Sequence, residues 1–134
     1  MIEYRQGNEL DVNVVIELLQ ASTLGARRPV DEPERIQQML WHANLVISAW
    51  HGTRLVGFAR SLSDFTFCTY LSDLAVHLDY QRRGIGKELM RRTQSAGAPA
   101  TTYLFAAPDA AEYYPHVGLT AGSGWLLKDG QEIR

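Results

Sequence analysis

The feature that most constrains this chain is one continuous stretch in its middle, from Leu71 to Leu89. Phe67 to Leu78 is rich in Phe, Thr, Tyr, Leu and Val and reads as the longest strand. It runs into a turn holding Gly84 and Gly86, and a helix must begin near Gly84, because Leu89 lies four residues after Ile85 with Met90 beside it. A strand that turns directly into a helix leaves the helix's first backbone N–H groups unpaired at the positive end of its dipole. Such a turn is a phosphate cradle. Glycine at 84 and 86 removes the β-carbons that would hold a phosphate away from the main chain.

The charges agree with an anionic ligand. Arg82, Arg83, Lys87, Arg91 and Arg92 face only Glu88 between residues 82 and 92, so five of the chain's 13 Lys and Arg residues fall within eleven positions. Arg82 and Arg83 lie in the cradle and are assigned to the ligand; for Arg91 and Arg92 a solvated helix face and ligand contact are equal alternatives. Two common phosphate motifs fail. A Walker A loop needs Gly at position 81 and Ser or Thr at 88, where Gln81 and Glu88 stand. A dinucleotide fingerprint needs Gly or Ala where Leu89 stands.

The rest of the chain supplies a mixed order of elements. Ile2 to Arg5 alternates like a strand, and Val12, Val15, Ile16 and Leu19 give one helical face with Asn8 or Asp11 as cap. Gly25 and Pro29 break a loop carrying Arg27 and Arg28, and Asp31 with Glu34 has capping-box spacing before Ile36, Met39, Leu40 and Ala43. Leu45 to Trp50 and Leu55 to Leu62 form a hairpin around His51-Gly52-Thr53, and Ser63-Asp64 turns into the long strand. Gly97 and Pro99 end the central helix; Thr101 to Ala107 reads as a strand, Asp109 as the cap of a short helix with Tyr113 and Tyr114, and Trp125 to Lys128 as a last strand. The predicted order β-α-α-β-β-β-α-β-α-β is an α/β chain with a mixed sheet and helices on its faces, read as a single domain over 1–134. The consecutive central hairpins separate it from a doubly wound fold.

Composition narrows the class. At 134 residues with 46% apolar and 21% charged side chains, the chain is long enough for one core and one cleft, which excludes disorder and a disulfide-stapled mini-protein. A net charge of -2 argues against nucleic-acid binding, which favours a globally basic face. No stretch reaches the roughly 18 uninterrupted apolar residues of a membrane span, and the first twenty residues, with Glu3, Asp11 and Glu17, lack the pattern of a signal peptide. The lone Cys68 cannot close an internal disulfide and no cysteine pair has metal-ligand spacing, so a reducing, cytoplasmic setting is expected, with no metal and Cys68 as a buried thiol rather than a nucleophile.

Gln81-x-x-Gly84-x-Gly86 directly after the apolar strand Leu74-Ala75-Val76 resembles the acetyl-CoA-binding motif of the GNAT N-acetyltransferases, Gln/Arg-x-x-Gly-x-Gly/Ala. Tyr113-Tyr114-Pro115-His116-Val117-Gly118-Leu119 is similar to that family's Phe-Tyr-x-x-x-Gly-Phe, and the two helices after the first strand match its element order. The resemblance implies a mostly antiparallel sheet with a splayed central strand pair and helices on both faces. It implies that the CoA pyrophosphate rests on the amides of Arg82, Arg83, Gly84, Ile85, Gly86 and Lys87, behind Gln81. It also implies that pantetheine pairs with Leu74, Ala75 and Val76, and that the Leu74 amide polarises the acetyl carbonyl. Tyr114 matches the family's general acid, while Tyr113 is assigned to the core and His116 to the surface. Ala107 stands where many relatives carry an Asn that contacts CoA.

Tyr70 and Ser72 match positions where relatives place a side-chain base; two apart on a strand, they share a face. Neither is a good base, so water removes the proton through them or the amine arrives neutral. Asp73 is expected on the other face in a structural role, and His77 in turn packing. The acceptor site implied by the resemblance lies between the loop Ser22 to Val30 and the hairpin tip near Phe65, where a solvated loop is preferred for Arg27 and Arg28 over a grip on an acceptor carboxylate or phosphate. The leading expectation is transfer of an acetyl group from acetyl-CoA to a small-molecule or protein amine; the rival is a non-catalytic acyl-CoA-binding module. A homodimer is the usual association for small soluble domains that associate.

Overall fold

A computed structural model describes residues 1–134. Strand β1 (Glu3–Gln6) is followed by α1 (Val12–Gln20), whose N-cap Asp11 accepts the Asn13 amide at 2.8 Å. Val15, Leu18 and Leu19 are its buried stripe, with Val12 and Ile16 packed at the margin. A 3₁₀ turn at Thr23–Arg27 leads to α2 (Pro33–His42). Here Glu32, not Asp31, precedes the first helical residue and makes no side-chain cap bond, so the capping box expected of Asp31 and Glu34 does not form. Pro33 at the helix start, with its φ already helical, sets the boundary one residue later.

Strands β2 (Leu45–His51) and β3 (Arg54–Ser63) form the hairpin, and β3 pairs with β4 (Cys68–Val76). Helix α3 (Ile85–Gly97) follows a short 3₁₀ turn at Leu78–Tyr80, and β5 (Thr101–Tyr103) and α4 (Tyr113–His116) complete the order. The sheet runs β1-β2-β3-β4-β5, antiparallel throughout except for the parallel β4–β5 pair. Helices α1 and α2 cover one face through Leu18, Ile36 and Leu40 against Phe58; α3 covers the other through Ile85 and Leu89 against Val56 and Leu71. The mixed, mostly antiparallel sheet with helices on both faces is the expected class. No helix is long and apolar enough to cross a membrane.

Two strands depart from expectation. β5 stops at Tyr103 rather than reaching Ala107, so its pairing with β4 is confined to Cys68–Tyr70 against Thr101–Tyr103. Trp125 to Lys128 forms no strand: it is exposed, and with β5 ended early there is no ladder for a four-residue run to join. Asp109 lies in a 3₁₀ turn at Pro108–Ala110, and Glu112 precedes α4, so Asp109 does not cap that helix. Cys68 is exposed at the start of β4, its thiol directed at Asp64 at 3.8 Å, because the strand's first residue stands outside the packed part of the sheet.

Candidate functional site

The turn between β4 and α3 is built by backbone conformation. His77 caps the 3₁₀ turn, its Nδ1 accepting the Asp79 amide at 3.1 Å, in the turn-packing role expected. Tyr80 is buried, its hydroxyl 2.6 Å from His51 Nδ1, and the Arg83 guanidinium lies 5.0 Å from its ring centroid. Beyond it Arg82 has φ +64 and Gly84 φ +81, two left-handed residues that swing the chain into α3. The left-handed region costs a non-glycine residue about 1–2 kcal/mol, so Arg82 marks strain held by its surroundings. None of the six successive amides from Arg82 to Lys87 donates a hydrogen bond within the chain; the first to do so is Glu88, to Gly84 O at 3.0 Å. A Cβ on Gly84 would meet nothing within 4 Å, so the space above these donors is open. An anion fits there: six unpaired N–H groups, a helix N-terminus, and the exposed side chains of Arg82, Arg83 and Lys87.

The five basic residues do not act as one group. Arg91 Nε and Arg92 Nε both bond the Glu88 carboxylate, at 2.9 and 2.6 Å, and hold it well below the usual carboxylate range, at about 2. With Arg5 and Tyr4 they line a groove of about 380 Å³ beside β1, so Arg91 and Arg92 serve that groove rather than the glycine turn.

The open edge of β4 leads to the turn. His77 N–H bonds Val56 O at 2.8 Å, so by strand alternation the amides of Ala75 and Asp73 also face β3, while those of Leu74 and Val76 face away from it. β5 has ended opposite Tyr70, so the edge from Leu71 to Val76 borders a wedge instead of a neighbouring strand. The Gln81 side chain folds back over its end, donating from Nε2 to Val76 O at 3.2 Å.

A β-bulge interrupts β4. Ser61 pairs with Leu71 and Arg60 with Asp73, leaving Ser72 as the extra residue. The insertion shifts the alternation: Leu71 packs on the α3 face, whereas Asp73 lines the same gap as Val15, Leu19 and Phe58 on the α1–α2 face. Asp73 therefore does not point away from Ser72, as strict alternation predicts; the bulge brings the two together. Asp73 is 1% exposed and structural, its Oδ1 accepting from Arg28 Nε at 2.7 Å and its Oδ2 from Arg60 Nε at 2.6 Å. Arg60 Nη2 also donates to Ser72 Oγ at 2.9 Å. Arg28 is thus an anchored residue, not one in a solvated loop, and the Ser72 hydroxyl is engaged. Tyr70 stays exposed, edge-on to Phe105 with ring centroids 5.9 Å apart.

Tyr114 is half-buried in α4, with Tyr113 edge-on at 5.4 Å. Burial pushes both phenols above 10, Tyr114 further under the influence of Tyr113. Tyr113 is exposed rather than core, because α4 is a single turn with no buried face, and its hydroxyl stands 3.8 Å from where a Cβ on Gly86 would be. Spacing gave no sign of that contact, since 27 residues of chain separate the two. His116 is exposed, and Ala107 ends the chain segment before the 3₁₀ turn.

Three comparisons bear on this arrangement. Residues 13–119 match the model of the acetyltransferase (GNAT) family. An uncharacterized N-acetyltransferase, ycf52, of Porphyra purpurea is 32% identical over 120 residues, covering 83% of this chain and 67% of that protein. Among solved structures, a GNAT-family acetyltransferase of Streptococcus pneumoniae superposes with a TM-score of 0.76 at 24% identity, over 96% of this chain and 100% of the other. An aminoglycoside N-acetyltransferase AAC(6')-Iy in complex with CoA superposes with a TM-score of 0.74 at 15% identity, over 98% and 95%, a likeness of fold alone.

Proposed function

The chain belongs to the acetyltransferase (GNAT) family, and on that premise we propose that it transfers the acetyl group of acetyl-CoA to a primary amine of a small molecule or protein, by direct attack in a ternary complex. The observation that carries the reading is the run of six unpaired amides from Arg82 to Lys87 at the start of α3. Those amides hold the CoA pyrophosphate, and Arg82, Arg83 and Lys87 neutralise it. The free edge amide of Val76 pairs with pantetheine as a neighbouring strand would, and the Leu74 amide donates to the acetyl carbonyl oxygen as charge builds there. The acceptor nitrogen bonds to the carbonyl carbon while the carbon–sulfur bond breaks. Tyr114, kept protonated by its raised pKa, gives its proton to the leaving thiolate and regains one from solvent. The proton lost by the amine passes to water past Tyr70 and Ser72, whose hydroxyl is already held by Arg60.

That engagement also favours a second reading. With Ser72 bonded and Asp73 clamped by two arginines, the bulge offers no unengaged side-chain base, as a non-catalytic acyl-CoA-binding module would allow. An amine panel assayed for free thiol release from acetyl-CoA separates the two. Turnover that Tyr114→Phe lowers at least roughly tenfold supports transfer; tight CoA binding with no turnover on any amine supports the binding module.

A further inference from the structure

Strand β1 is the outer strand of the sheet, and its far edge pairs with no other strand. Gly7 N–H donates to Val46 O at 2.9 Å, so by strand alternation Arg5 and Glu3 also turn their backbone groups toward β2, while Tyr4 and Gln6 turn theirs outward. Helix α3 packs on β2, β3 and β4, and the groove of about 380 Å³ lies between it and β1, with Ile47 and Ala96 in its apolar lining. The arginines of that groove are only partly engaged. Arg91 gives Nε and Nη2, and Arg92 gives Nε, to the Glu88 carboxylate, which leaves Arg91 Nη1 and both Nη groups of Arg92 without a partner in the chain. Two guanidiniums share one carboxylate, so a positive charge is left over. Arg92 also lies over the Tyr4 ring, 4.5 Å from its centroid, which fixes its direction without using its Nη groups. Arg5, by contrast, is engaged: it lies over Trp50 at 4.6 Å and bonds Glu3 at 2.8 Å.

We propose that the outer edge of β1 is a docking site for an acidic segment of a partner protein, which adds as a strand along Tyr4 and Gln6 and places a carboxylate on Arg91 and Arg92. An open strand edge supplies main-chain pairing, and the basic wall beside it supplies the choice of partner. A residue directly opposite Tyr4 on an added strand shares Tyr4's face, the one that packs with Ile47 and Ala49 under α3. Its side chain therefore stands beside the Tyr4 ring, inside the groove that Arg91 and Arg92 line. A glutamate or aspartate there meets the free Nη groups in the planar fork geometry that suits a carboxylate. The site is separate from the amides of Arg82 to Lys87 and holds whether or not the chain transfers acetyl groups.

The test titrates the whole chain with short capped peptides: one alternating valine and glutamate, one with glutamine for every glutamate, and one with the glutamates kept and the backbone N-methylated. By calorimetry the glutamate peptide should bind at least roughly tenfold more tightly than either of the others, the scale of a lost charge-assisted contact. Hydrogen exchange at the Tyr4 and Gln6 amides should slow when it binds. Gln6→Pro removes an outward N–H that the β1–β2 ladder does not use, so the strand stays formed. That variant and Arg91→Gln/Arg92→Gln, whose two side chains are exposed, should each lower peptide affinity roughly tenfold while CoA affinity holds within about twofold. No binding of the glutamate peptide, equal binding of the glutamine peptide, or affinity unchanged in either variant overturns the proposal. So does protection that falls on the start of α3 instead of β1, which would put the acid in the glycine turn. Glutarate that matches the peptide would mean a carboxylate site without an added strand, and overturns it as well.

Discussion

Gln81 Nε2 donates to the carbonyl of Val76 at 3.2 Å, closing the entrance of the glycine turn onto the last residue of β4. The bond joins the two halves of the proposed CoA site, the strand edge and the amide cradle. Gln81→Ala removes one exposed neutral hydrogen bond, and CoA affinity should fall roughly two- to tenfold by calorimetry, with little change in melting temperature.

The proposed mechanism makes Tyr114 the proton donor. Tyr114→Phe should lower kcat at least roughly tenfold with CoA affinity unchanged, as expected for a lost proton donor. Burial raises the Tyr114 phenol above 10, so the donor form persists through the neutral range and is lost only on the alkaline side. A pH–kcat profile should therefore show a falling limb above about 10 in the wild type that is missing in Tyr114→Phe.

Gly97, the last residue of α3, packs on the sheet, where a Cβ would sit 2.8 Å from Thr69 Oγ1 and 3.4 Å from Leu45 Cδ2. Gly97→Ala should destabilise the chain by about 1–3 kcal/mol through overpacking. Denaturant midpoints read the effect.

Glu88 lies under Arg91 and Arg92, and its pKa falls from the ordinary 4.5 to about 2. A depressed carboxylate contributes stability that is present in full above its unfolded pKa and disappears as pH falls through its folded one. The stability gap between wild type and Glu88→Gln should hold at neutral pH, narrow below 4.5 and close near 2. A gap that widens on acidification contradicts the pairing.

What the sequence made legible was local: Asp11 capping α1, the hairpin around Gly52, and the two-glycine turn, each set by residues a few positions apart. What it hid depends on partners far along the chain. The bulge at Ser72 arises from the register against β3, and no pattern within β4 marks it. Arg28 looked solvated because Asp73 is distant in sequence and the bulge had to turn that carboxylate toward it. The expected last strand at Trp125 failed for the same reason, since propensity alone supplies no ladder once β5 ends at Tyr103.

The proposed function requires the six unpaired amides from Arg82 to Lys87 to hold the CoA pyrophosphate, and Gly84→Asp tests that contact. Asp tolerates the left-handed backbone better than most residues, and its Cβ would enter open space, so the fold should survive. Its carboxylate would face the phosphates, where like-charge contact costs several kcal/mol. Calorimetric titration with CoA should show wild-type binding weakened by roughly a hundredfold or more in Gly84→Asp, with a near-native melting temperature. Equal affinity in the two proteins would mean that the pyrophosphate does not rest on these amides.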